Sequence, residues 1–311
     1  MKLAFVYAGQ GSQKVGMGRD FYEQYPAFRA VLDSAPVDFD LKGLCFEGPE
    51  EQLSQTRYTQ PCMVAFAMGV TDLLAGAGIR PQAAAGLSLG EYSALYCAGV
   101  FDRDTALQTV ALRGRAMEEA ARGLECGMTA VLGLEREKLQ RACEEAGALG
   151  TVQICNYNCP GQLVIGGEKA AVDRAGELAR ELGAKRCMPL KVSGPFHTGL
   201  MKPAGDVLAE HFTRISFGEM ALPVYFNCKG APMGEGDTIP ALLERQVQSS
   251  VYWEDTIRAM EADGVDTIVE IGPGKTLTSF VKKTAPSIQT YNIDTAGDFE
   301  KVTAALKGET L

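Results

Sequence analysis

The stretch Gly86-Leu87-Ser88-Leu89-Gly90 constrains this chain more than any other. It follows a short apolar run at 83–85 and leads into a helix-forming segment at 91–98. Strand, sharp turn and helix in that order is the setting of a nucleophile elbow, in which G-x-S-x-G lifts a serine hydroxyl clear of a sheet. Glycines flank the serine because the turn brings neighbouring backbones closer than a Cβ permits. A serine at a helix N-terminus also meets N–H groups that can stabilise developing negative charge. Alone the pentapeptide is a weak signal in a chain with 35 glycines, so the surrounding sequence must support it.

The first third alternates strand and helix signals. Residues 3–8 and 83–86 read as strands, 61–75 as an apolar helix, and 105–121 as a long amphipathic helix with Asp102 or Asp104 as its cap. Such alternation predicts a parallel sheet covered by helices. A second unit begins near Glu125. There 128–134 and 185–192 read as strands, 135–146 and 170–182 as helices, and 152–156 with 162–165 as a hairpin around Asn158-Cys159-Pro160-Gly161. The order β-α-β-β-α-β is that of a ferredoxin-like unit. Strands at 224–227 and 267–271 and helices at 239–247 and 252–262 then return to the character of the first part. The expected organisation is an α/β fold, with 1–124 and 196–311 sharing one sheet and 125–195 inserted as the smaller subdomain.

Composition narrows the function classes. A chain of 311 residues is long enough for two domains without disulfide staples. Its net charge of −9 argues against a nucleic-acid partner, while leaving room for a local basic patch. Nine cysteines without a C-x-x-C pair, and only two histidines, give no zinc-type spacing. Free buried thiols in a reducing, cytoplasmic setting are the expectation. The apolar N-terminus runs into Gly9 too soon for a signal peptide and reads as a first strand, and nowhere do 18 apolar residues run together. Gly272-Pro273-Gly274-Lys275-Thr276 falls short of a P-loop because Val269 stands where its first glycine belongs. Gly9-Gln10-Gly11 falls short of a dinucleotide loop because Lys14 replaces the third glycine.

A serine nucleophile needs a base, and at neutral pH the natural one is histidine. His211 sits beside Asp206 and Glu210 in an ordinary surface helix pattern. His197, in Val192-Ser193-Gly194-Pro195-Phe196-His197, lies in a loop between a strand and a helix, the usual home of catalytic side chains. His197 is therefore the candidate base, with a structural loop histidine as the bland alternative.

Five segments now stand in one order: Gly9-Gln10-Gly11-Ser12-Gln13, the elbow extended to Glu91-Tyr92, Arg113 within Leu112-Arg113-Gly114-Arg115, His197, and Glu270-Ile271-Gly272-Pro273-Gly274-Lys275. Together they resemble the malonyl-CoA:acyl carrier protein transacylases of fatty acid synthesis, whose pattern the acyltransferase domains of polyketide synthases share. The resemblance runs from Gly9 to Leu277. It implies an α/β-hydrolase-like large subdomain with a ferredoxin-like insertion. It also implies transfer of malonyl from malonyl-CoA to the phosphopantetheine thiol of acyl carrier protein, through an ester on Ser88 with His197 as base. No bound cofactor or metal is implied, nor a nucleic-acid or membrane partner, and the resemblance suggests a monomer.

Further roles follow from the resemblance. The backbone N–H groups of Gln10 and Leu89 would form the oxyanion hole. Arg113 would grip the malonyl carboxylate with its guanidinium fork. Sequence alone does not single it out from Arg103, Arg115 and Arg122 on or near the same helix, and it sits at the margin of the apolar face of Leu107, Val110, Gly114 and Ala121. Phe196 would crowd an α-methyl branch, or else simply pack the loop. The carbonyl of Tyr252 would orient His197. Leu87 stands where relatives commonly carry histidine, Ala8 where they carry proline, and Tyr252 where some carry glutamine. Carrier proteins are acidic around their prosthetic group, so docking would use Lys185, Arg186, Lys191 and Lys202, or Lys275, Lys282 and Lys283. The rival readings are a thioesterase-type serine hydrolase, a non-enzymatic scaffold, and an acyltransferase serving a polyketide synthase.

Overall fold

In the computed structural model, which describes residues 1–309, the chain forms two compact units. The first comprises Met1–Gly114, Ile215–Tyr225 and the chain from Ala259 onward. The second comprises Arg115–Arg214 and Phe226–Arg258. It is broader than the 125–195 segment drawn from the sequence, because it also takes the histidine loop and the helices after it. The fold class is α/β, with one parallel-rich sheet and a separate antiparallel one, as expected.

Parallel strands in the first unit lie in the order β10-β9-β1-β2-β7, where β1 is Leu3–Tyr7, β2 Ala83–Gly86, β7 Val224–Phe226, β9 Thr267–Ile271 and β10 Gln289–Ile293. β1, β2 and β9 are buried at every residue. Near-continuous apolar runs are what a parallel sheet covered on both faces requires. The helices are α1 (Arg19–Gln24), α2 (Pro26–Asp33), α3 (Leu41–Glu47), α4 (Glu50–Leu53), α5 (Thr56–Gly76), α6 (Gly90–Cys97), α7 (Arg103–Ala121), which runs on into the second unit, and the C-terminal α13 (Thr276–Thr284) and α14 (Ala296–Lys307). The sequence start for α5 at Pro61 falls five residues late. Pro61 sits inside the helix, and residues 61–71 are buried without a break, so burial outweighs the hydrogen bond that proline forfeits. Asp102 is the cap of α7, its carboxylate accepting from the Thr105 N–H at 2.7 Å.

The segment that falls short of a P-loop brings its own anion. Glu270 at the end of β9 is fully buried, and its carboxylate accepts from the N–H groups of Leu277 at 2.9 Å and Thr278 at 2.7 Å. The N-terminus of α13, where a nucleotide phosphate would sit, is thereby filled from within the chain. Burial raises the Glu270 pKa, and the two helix N–H groups pull it back down.

The second unit carries the antiparallel sheet β4-β5-β3-β6, with β3 Cys126–Leu132, β4 Val152–Cys159, β5 Gln162–Glu168 and β6 Arg186–Pro189. Helices α8 (Arg136–Ala146) and α9 (Lys169–Glu181) cover it, and Val131, Leu139, Ile154, Ile165, Val172 and Leu178 share one core. The chain order β-α-β-β-α-β is ferredoxin-like. β4 and β5 join through the two-residue turn Pro160-Gly161, where Gly161 takes φ 72°. Helices α10 (Lys202–Phe212), α11 (Ile239–Gln248) and α12 (Trp253–Ala262, ending in the first unit) and the short strand β8 (Ala231–Pro232) complete the set. The open edge of β4 is covered by the chain after α11. Tyr157 N–H donates to the Val251 carbonyl at 2.8 Å, Val251 N–H to the Cys155 carbonyl at 2.9 Å, and Ser250 Oγ to the Ile154 carbonyl at 2.7 Å. None of the nine cysteines is in a disulfide. Among the described residues no helix is long and apolar enough to cross a membrane.

Candidate active site

Three of the motifs lie at the C-terminal ends of the adjacent strands β9, β1 and β2, the edge at which open α/β sheets build their sites. Ser88 follows β2 with φ 52°, the left-handed region that a non-glycine residue avoids and a nucleophile elbow imposes. The glycines on either side are demanded by space. A Cβ on Gly86 would lie 1.9 Å from the Gly90 carbonyl carbon, and one on Gly90 2.2 Å from the Tyr7 carbonyl oxygen. A Cβ on Gly9 would come within 2.6 Å of the Leu87 carbonyl oxygen, so the loop carrying Gln10 is pressed against the elbow. Gln10 Nε2 ties that loop to Thr56 Oγ1 at the start of α5 at 3.0 Å. Leu89 is buried immediately before α6, whose first turn then runs through Glu91 and Tyr92, both fully buried.

Of the arginines on or near α7, Arg113 is buried whereas Arg103, Arg115 and Arg122 are exposed. Arg113 is 1% exposed on α7, and its Nη2 donates to Ser88 Oγ at 3.2 Å. Its guanidinium carbon lies 5.4 Å from the centre of the Tyr92 ring. Burial lowers the Arg113 pKa, while Tyr92 and Glu91 raise it. Gly114 makes this depth possible, since a Cβ there would meet the Arg57 Cα and the Thr56 carbonyl oxygen, each at 2.8 Å.

The second unit carries the histidine. His197 is 3% exposed and takes φ 61°. Its loop is pinned by Thr198 Oγ1 donating to the Pro195 carbonyl at 2.6 Å. Gln153 clasps the same loop, its Nε2 donating to the His197 carbonyl at 3.4 Å and its Oε1 accepting from Gly199 N–H at 3.2 Å. Nδ1 of His197 lies 2.9 Å from the carbonyl oxygen of Gln246 on α11. A carbonyl only accepts, so Nδ1 carries a proton, and in the neutral ring Nε2 then keeps the lone pair that a general base needs.

This bond corrects the expectation for Tyr252. The Tyr252 carbonyl accepts from Thr256 N–H at 2.9 Å in the first turn of α12, and its ring stacks on Tyr157 at 4.9 Å. The orienting carbonyl lies six residues earlier, at Gln246. One signal pointed there: Gln246 stands on the apolar face of α11 with Leu242, Leu243 and Val247, where a polar side chain is out of place. Phe196 is buried beside His197, with its ring against Gly194, where an added Cβ would lie 2.9 Å from it. His211 is in the last turn of α10, as expected of a surface helix. Within the first unit the structure thus groups the Gln10 loop, Ser88, Leu89 and Arg113, and within the second Phe196, His197 and Gln246.

An elbow serine on a parallel sheet, with a buried arginine donating to its hydroxyl, defines a serine enzyme of the acyl-transfer class, hydrolases included. The acyl transferase domain family matches residues 4–305. The chain is 41% identical to the malonyl CoA-acyl carrier protein transacylase of Bacillus subtilis, over 99% of this chain and 98% of that one. It is likewise 41% identical to that of Escherichia coli, over 91% and 92%. Among solved structures, the transacylase of Streptococcus pneumoniae superposes with TM-score 0.93 at 44% identity, covering 98% of this chain and all of that one. A malonyl-transacylase solved with its holo type II PKS acyl-carrier protein gives 0.95 at 38% identity, over 99% and 100%. The chain belongs to the malonyl CoA-acyl carrier protein transacylase family.

Proposed function

We propose that this enzyme moves malonyl from malonyl-CoA to the phosphopantetheine thiol of acyl carrier protein by a ping-pong route through Ser88. The observation that carries the reading is the buried guanidinium of Arg113 at hydrogen-bond distance from the Ser88 hydroxyl. A malonyl group on Ser88 would place its carboxylate only two carbons from the ester oxygen, within reach of that fork.

The steps balance without a cofactor. Ser88 Oγ attacks the thioester carbonyl carbon while His197 Nε2 takes the hydroxyl proton. The backbone N–H groups of Gln10 and Leu89 receive the oxyanion. The C–S bond breaks, and CoA leaves as the thiol with the proton from Nε2. The carrier thiol then repeats the sequence in reverse on the malonyl ester. His197 and Ser88 act as a dyad, with the Gln246 carbonyl in the place an acidic third member would fill. Removing one oxyanion donor costs ~3 kcal/mol of barrier in comparable sites.

We read 125–195 as the inserted ferredoxin-like subdomain and the remainder as the hydrolase-like one. The exposed Lys185, Arg186, Lys191 and Lys202, or alternatively Lys275, Lys282 and Lys283, are the proposed landing places for an acidic carrier. Transfer should weaken with rising salt, and a salt-independent KM for carrier would refute electrostatic docking. The structural relative solved with a type II PKS carrier supports assaying that carrier class beside one from fatty acid synthesis.

The decisive experiment is intact mass after mixing wild type and Ser88→Ala with malonyl-CoA, followed by holo acyl carrier protein. A malonyl adduct on the wild type alone, discharged onto carrier, supports the reading. An adduct that drains into water without carrier replaces it with a hydrolase, and no adduct removes the covalent route.

A further inference from the structure

We propose that Tyr92 is a positioning residue for Arg113 and, through it, a determinant of the preference for a carboxylated acyl group. The inference rests on the reading of Arg113 as the carboxylate clamp and concerns what holds that clamp in place.

Tyr92 stands four residues after Ser88, in the first turn of α6, and its side chain is fully buried. The Arg113 guanidinium carbon lies 5.4 Å from its ring centre, while Nη2 of the same group donates to Ser88 Oγ at 3.2 Å. The cation is therefore held between the ring and the nucleophile. The ring is itself held: it stacks on Phe101 with centroids 6.2 Å apart and planes 8° from parallel, and Phe101 leans on Phe217 at 5.4 Å. Phe101 is also buried.

A platform of this kind suits the task. An arginine side chain loses considerable rotamer freedom on being fixed, and a buried aromatic face attracts the cation. The elbow thus supplies both the nucleophile and, one turn further along α6, the surface that aims the specificity group at it.

The test compares kcat/KM for malonyl-CoA and acetyl-CoA in Tyr92→Leu, Tyr92→Phe and Arg113→Ala, with thermal melting to verify folding. Tyr92→Leu should lower the malonyl-to-acetyl ratio about 30-fold, the scale of a desolvated cation–π contact, and leave acetyl transfer little changed. Tyr92→Phe keeps the ring and should hold the ratio within about threefold. If the leucine variant fails to fold, Tyr92→Met fills the space without an aromatic face and should show the same fall. A folded leucine or methionine variant that retains the ratio while Arg113→Ala loses it would overturn the role of Tyr92 and leave the clamp standing. Equal losses for both donors would make Tyr92 merely structural. If Arg113→Ala keeps the malonyl preference, the clamp reading itself falls.

Discussion

Replacing Arg113 tests the proposed carboxylate clamp most directly. The guanidinium is 1% exposed, so a carboxylate bound there has little water to turn to once the cation is gone. Two parallel charge-assisted hydrogen bonds contribute roughly 1.5–3 kcal/mol each. Leaving one member of a buried charge pair alone costs about 3–5 kcal/mol, which agrees with their sum. At about 1.4 kcal/mol per tenfold, Arg113→Ala should lower kcat/KM for malonyl-CoA by roughly 10²- to 4 × 10³-fold. Acetyl-CoA, with a methyl in place of the carboxylate, forgoes this interaction already and should be transferred at near wild-type efficiency, so the donor preference collapses or inverts. Arg113→Lys should recover only part of the loss, since an ammonium offers a point charge where the site is shaped for a fork. The assay is single-turnover formation of the acyl adduct on Ser88 with each donor, quenched and read by mass. Parallel losses for malonyl and acetyl would refute the assignment, because they would mean that Arg113 supports the elbow rather than the substrate.

Other outcomes follow from the same geometry. Ser88 holds φ 52° at a cost that glycine does not incur, so Ser88→Gly should be more stable than Ser88→Ala by about 1 kcal/mol in denaturant unfolding, although both are inactive. His197 is oriented by the Gln246 backbone, so Gln246→Ala should keep most of kcat while His197→Ala loses it; a comparable loss in both would move the orienting role to the Gln246 side chain. Phe196→Ser should raise methylmalonyl transfer relative to malonyl in direct competition if the ring bounds the acyl site, and leave the ratio unchanged if the ring only packs against Gly194. Burial raises the Glu270 pKa above that of the unfolded chain, so the native state binds its proton more tightly and stability falls as pH rises through that window. Unfolding free energy measured from pH 4 upward should therefore decline in wild type relative to Glu270→Gln, and a difference that does not vary with pH would remove this linkage.

The parts of the fold legible in the sequence are those with strong local periodicity or a sharp turn. β2, β9 and the α8-to-β6 unit were readable because their apolar runs end at glycines or helix signals. The segment from 19 to 53 was not, since α1 to α4 are short and α3 and α4 bury only three residues and one. β10 is half-buried along most of its length and lacks the dense apolar run that marked β1. In the site, Ser88 and His197 were legible through scarcity and context: one elbow and two histidines. Arg113 needed the close approach of α7 to α5 that Gly114 allows, a tertiary fact without a local signature. Gln246 was missed because the group that matters is a carbonyl, which every residue has.

At Ala8 and Leu87, where the sequence departs from the resemblance, the tight contacts are borne by the glycines around them. A Cβ on Gly272 would meet that of Ala8 at 2.5 Å, one on Gly9 would meet the Leu87 carbonyl, and one on Gly90 the Tyr7 carbonyl. Each constraint falls on the glycine. The Tyr7 and Leu87 contacts involve backbone atoms that any residue supplies, and Ala8 needs only to be small. This is why glycines recur in the three motifs of this chain. They are the close-approach points of three loops on three adjacent strands, and their spacing along the chain records the order β1, β2, β9 in which those loops are laid down. Glu270 then closes the third loop on itself through the N-terminus of α13, so a segment that looks made for a phosphate is filled by the chain's own carboxylate.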